Sequence, residues 1–161
     1  MKKANDPRAT DMLMRIVEMF DQQQKYSQAA KYCMAIAESS KGREATEWMN
    51  KAAKYHQTVG SKVTAGECVT RVAEIQAQSG EYSEAQRLYE KQAREALDDR
   101  LSRGGARKLF FMALLCQIAD INGNNLIEGI EFLRQKFEEY QELDNQFNDL
   151  TREHMLIREM V

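Results

Sequence analysis

The sequence predicts an all-α protein: a right-handed superhelical solenoid of antiparallel helix hairpins, about eight helices in all. Three observations predict it. Pro7 is the single proline in 161 residues, so almost nothing interrupts helices, and the wealth of Ala, Glu, Gln, Lys, Arg and Met favours them over strands. Ala85, Tyr89 and Ala93 follow Gly80 at four-residue spacing, which puts them on one helical face. The same register holds Ala45, Met49 and Ala53 40 residues earlier, Ala9, Leu13 and Val17 36 before those, and Gly129, Leu133 and Phe137 44 later.

The third observation is a second set interleaved with the first. It runs Ala30, Lys31, Ala37, then Gly66, Glu67, Ala73, then Ala106, Arg107, Ala113. Small residues let a partner helix approach closely, and the larger side chain one turn on fills the gap that a uniformly small stripe would leave. Two helix types alternating with a combined period of 36 to 44 residues imply stacked hairpins. That period exceeds the 34 of a strict tetratricopeptide repeat, so the expected fold is TPR-like, a single domain over 1–161.

Each element has its own signal. Asp6-Pro7 supplies a capping acid and a first-turn proline, starting a helix that runs to about Gln23. The polar step 22–25 turns the chain into a helix over 26–39, with Ala29, Ala30, Cys33, Ile36 and Ala37 as its apolar stripe. Ser39 to Gly42 ends it, and a third helix over 43–58 carries Trp48, Met49 and Ala52 before Gly60-Ser61. The fourth, 61–79, is expected to bury Val69, Val72, Ala73 and Ile75. The fifth follows Gly80 and ends near Asp98, and a polar loop with Gly104-Gly105 leads to the most apolar segment, 108–121, expected to be the most buried helix. The turn 122–125 precedes a seventh helix over 126–140, and Phe147, Leu150, His154, Leu156 and Ile157 suggest a last helix over 144–161.

Composition excludes some chemistry. A net charge of −2 and a pI near 5.8 argue against wholesale nucleic-acid binding. Cys33, Cys68 and Cys116 lack the paired spacing of a zinc site or disulfide framework and read as reduced helix residues. No window has the apolar length of a membrane span, and the first residues lack a signal-peptide core, so a cytoplasmic chain is expected. Gly104-Gly105 neither follows a strand nor precedes Lys-Ser or Lys-Thr, while His56 and His154 stand apart from any ligand pattern. The sequence therefore predicts no enzyme, no cofactor and no metal site.

What it offers is surface. Lys25, Lys31, Arg71, Arg103, Arg107 and Lys108 all belong to the second helix type or to the loop entering it. Equivalent helices of a hairpin stack line one face, so these cations read either as ordinary solvated charge or as a basic stripe facing an acidic partner. Glu67 interrupts the stripe, and the acids Glu138, Glu139, Glu142, Asp144 and Asp149 read as a solvated helix end.

Several blocks together resemble the soluble attachment proteins for the N-ethylmaleimide-sensitive fusion ATPase, the alpha-SNAP type. They are Leu13-Met14-Arg15, residues 26–38 with Ala29-Ala30-Lys31 and Ile36-Ala37-Glu38, residues 82–90, and residues 106–116 with Phe110-Phe111 and Ala113 to Cys116. The resemblance implies a monomeric adaptor lying along the SNARE four-helix bundle and recruiting an NSF-type AAA ATPase, at membranes only peripherally and through its partners. It carries bundle contact to Lys25, Lys31, Arg71, Arg103 and Arg107. Glu67 stands where the family commonly has lysine, and Gly104 where it commonly has an aromatic. The family also has an N-terminal hydrophobic loop and an acidic C-terminal segment that stimulates the ATPase. Neither is recognisable here, so weak bundle binding is expected. The other reading is a TPR-like scaffold for a different peptide or coiled coil.

Overall fold

The computed structural model describes residues 6–144. They are all-α, with seven α-helices and one 3-10 turn and no strand among the described residues. Packing divides the chain into two compact units, Met1–Ser79 and Gly80–Val161.

The first unit holds α1 (Pro7–Gln22), α2 (Tyr26–Ser39), α3 (Gly42–Thr58) and α4 (Lys62–Gln78), each packed on the next. Asp6 caps α1 as expected, its Oδ1 accepting the Arg8 amide at 3.0 Å with Pro7 in the first turn. The turn into α2 holds a surprise. The Gln24 amide donates to Asp21 O and the Lys25 amide to Phe20 O, both at 2.9 Å, which is the left-handed helix-ending motif that favours glycine. Gln24 occupies the left-handed position at φ +57°. The end of α3 uses the same bonds with Gly60 at φ +78°, where no side chain is strained.

Ring stacking ties the hairpins: Phe20 lies on Tyr32 at 5.6 Å and Tyr26 on Tyr55 at 5.8 Å. The small residues of the repeat lie where helices touch. Ala30, Ala37, Ala45, Ala53 and Ala73 are all buried, with Met49 between the two of α3. The triplet of α1 is buried only at Val17, while Ala9 is exposed. In α4 the buried line is Ala65, Cys68, Val72 and Ala73. Val69 and Ile75, expected inside, are only half-buried.

The second unit holds α5 (Tyr82–Asp98), a 3-10 turn (Arg103–Gly105), α6 (Ala106–Asp120) and α7 (Leu126–Leu143), with α6 packed against both α5 and α7. α6 buries Ala106, Phe110, Ala113, Leu114, Cys116 and Gln117, and its other large apolar residues are half-buried, as suits a helix with neighbours on two sides. It starts two residues earlier than expected, because the Gly104-Gly105 segment winds into the 3-10 turn that leads straight into it.

A polar cluster joins α5 to α7. Glu90 accepts hydrogen bonds from Tyr140 Oη (2.8 Å), Gln86 Nε2 (2.8 Å), Lys136 Nζ (3.1 Å) and Arg94 Nη2 (3.0 Å), and Arg94 and Lys136 both also reach Glu139. Tyr140 is fully buried against Phe110, ring centroids 4.5 Å apart. The acidic helix end is therefore not uniformly solvated. Glu138 and Glu142 are exposed, but Glu139 is paired and Asp144 is buried, because Leu133, Phe137, Tyr140 and Asp144 share the inward face of α7. The helix expected over 144–161, with Asp149 and His154, lies outside the described residues.

Candidate partner-binding surface

The predicted cations fall in both units, and their surroundings differ. In the first unit, Lys25 closes the strained turn, its carbonyl accepting the Ala29 amide at 3.0 Å, so the backbone under it is fixed from both sides. Lys31 lies six residues on, beside the buried pair Ala29 and Ala30 that seats α2. Both side chains are exposed and form no ion pair among the described residues. Arg71 of α4 is different. It is bound to Glu74 at 2.5 Å, and Glu67 stands one turn to its other side, so this face of α4 presents acid, cation, acid.

In the second unit the cations crowd the entry to α6. Arg103 Nε donates to the Leu97 carbonyl at 3.2 Å, placing a cation at the C-terminal end of α5, where carbonyl dipoles accumulate. Arg107 is half-buried in the first turn of α6 and Lys108 beside it is exposed. The loop also projects Leu101, 91% exposed, between Arg100 and Arg103. Lys25 and Lys31 thus belong to the cap and the second turn of α2, and Arg103, Arg107 and Lys108 to the 3-10 turn and the first turn of α6.

Covalent chemistry finds little to work with. Burial, opposed by Lys51 and reinforced by Asp21, pushes the Cys33 thiol up to about 11, and burial also raises Cys68 and Cys116. At neutral pH these sulfurs are thiols, packed as small apolar groups. The phenol of Tyr55 is likewise pushed up to about 12, by burial and by the Asp21 carboxylate. Among the described residues no group of three or more His, Cys, Asp or Glu side chains could hold a metal ion. No helix among them is long and apolar enough to cross a membrane.

A feature the sequence reading missed lies elsewhere in the second unit. A groove of about 220 Å3 between α5, α6 and the start of α7 is lined by Gln117, Asp120, Glu128 and Phe132, among others. Its one sequence signal was Gln117, a carboxamide interrupting the most apolar run of the chain.

Comparison with known proteins adds two findings. The family model described as "Soluble NSF attachment protein, SNAP" matches residues 1–161. The chain is also 29% identical to the alpha-soluble NSF attachment protein of Mus musculus and 28% identical to that of Homo sapiens, each match covering 99% of this chain and 53% of the relative. For the Vitis vinifera protein of the same description the identity is 26%, over 97% of this chain and 53% of the relative. The chain spans about half the length of the curated relatives it matches.

Proposed function

The chain belongs to the soluble NSF attachment protein family, and from that membership we propose that it is an adaptor. It binds SNARE helical bundles through its basic side chains and links them to an NSF-type disassembly ATPase in vesicle fusion and intracellular protein transport. It works in the cytoplasm and reaches membranes only through its partners. The observation that carries this reading is the exposure of Lys25, Lys31 and Lys108 without ion pairs among the described residues, on or at the start of helices of the second repeat type.

The mechanism is an electrostatic clamp. Exposed cations steer the adaptor onto an acidic bundle and hold it by many weak contacts. Their backbones are fixed by buried alanines and by hydrogen-bonded turns, so pulling by a motor loads the helices rather than bending the contact points. Arg71 contributes less than its charge suggests, since Glu74 already holds it.

The test is capture of this chain on an assembled SNARE bundle at low and high salt, with and without the ATPase, alongside a double Lys31→Glu, Arg107→Glu variant. Salt-sensitive capture, weakened about tenfold or more by the double reversal, is the expected result. Capture that the reversal leaves unchanged removes these cations from the mechanism. No capture at low salt turns the reading to a TPR-like scaffold for another partner.

A further inference from the structure

The groove in the second unit lies apart from these cations, and what it says does not depend on the adaptor reading. Gln117 is only 7% exposed, yet neither its Oε1 nor its Nε2 has a hydrogen-bond partner among the described residues. A carboxamide buried that deeply is costly unless something satisfies it. It lines a groove whose rim carries two exposed carboxylates, Asp120 at the end of α6 and Glu128 in the first turn of α7. Neither carboxylate forms an ion pair among the described residues, so the acidic rim is uncompensated. The one ammonium over the Phe132 ring, that of Lys136 at 5.8 Å, is already taken by Glu90 and Glu139.

The walls are fixed. Asn125 bridges the loop, accepting the Asn122 amide at 2.7 Å and donating to the Asp120 carbonyl at 3.2 Å. Gly129 lets α7 approach that loop: a Cβ there would stand 2.8 Å from Ile121 Cγ1. At about 220 Å3 the groove is smaller than the ~300–1,000 Å3 sites that enclose whole small molecules, and it matches a single long side chain.

We infer that this groove is a receptor pocket for an arginine side chain presented by an extended peptide segment of a partner protein. The guanidinium donates to Asp120 and Glu128 at the rim and to Gln117 Oε1 inside. A guanidinium fork suits this set because it offers several fixed donors and its planar face packs on an aromatic ring such as that of Phe132, 48% exposed.

The test is a titration of the 15N-labelled full chain with the peptide acetyl-Ala-Arg-Ala-amide, and with the same peptide carrying neutral citrulline in place of arginine. The arginine peptide should shift the Gln117 side-chain amide and the Gly129 backbone amide saturably, and the citrulline peptide should bind about tenfold more weakly. A double Asp120→Asn, Glu128→Gln variant should lose about tenfold in affinity for the arginine peptide. Both acids are exposed, so the fold survives the change, and an otherwise unaltered amide spectrum verifies it. Absence of saturable shifts overturns the proposal, as does equal binding of citrulline or an unchanged affinity in the double variant.

Discussion

Gln24 shows how much one residue can hide from a sequence reading. A side chain in the left-handed region costs about 1–2 kcal/mol relative to the helical region, and glycine avoids most of that at the expense of unfolded-state entropy. Gln24→Gly should therefore raise stability by about 0.5–1 kcal/mol, read as a higher urea midpoint with an unchanged slope. A lower midpoint would mean that the glutamine side chain makes a contribution its backbone strain conceals. The polar step 22–25 announced a turn. It gave no sign of the turn's type, because the glycine that marks it at Gly60 and Gly80, both at positive φ, is missing here. Gln117 shows the converse. Its oddity was printed in the sequence, but only the packing of three helices around it revealed that both its polar atoms lack partners.

At the scale of elements, α5 and α7 are joined by charge as well as by burial. Burial works against the Glu90 carboxylate, but hydrogen bonds from Tyr140, Lys136 and Arg94 outweigh it and hold the carboxyl below its usual range. A depressed folded value means this stabilisation is present above the unfolded value of about 4.3 and is lost as pH falls through the lower folded one. Glu90→Gln should cost about 1–3 kcal/mol at pH 7, and the gap between variant and parent should narrow at an acid pH below the usual carboxylate range. Thermal unfolding at both pH values measures it; a gap independent of pH would assign the cost to packing. The repeat predicted the inward positions of these helices well, since Tyr89, Ala93, Leu133 and Phe137 are all buried. It could not show that Lys136 and Glu139 flank that inward line and meet Glu90 and Arg94, residues 45 or more positions away in the chain.

For the molecule as a whole, a net charge of −2 means that attraction to an acidic partner depends on where the cations sit, not on their excess. Glu67 occupies the position in its repeat that Lys31 and Arg107 occupy in theirs, and it is exposed. Glu67→Lys should therefore strengthen capture on a SNARE bundle at low salt by about two- to fivefold, an advantage that shrinks at high salt. Capture unaltered by this reversal would place the contact away from α4. By itself the sequence determined the all-α class, the order and approximate limits of seven helices, the buried small-and-large register and the family. These rest on local propensity and on a periodicity that each helix carries within its own length. Tertiary structure alone decided which charges are spent and which remain available. It drew Glu139 to Arg94 of α5 and so into the Glu90 cluster, and it left Lys31 exposed and gathered Gln117, Asp120 and Glu128 around one groove. A charge's partner depends on rotamers and on neighbouring helices, and spacing along the chain fixes neither.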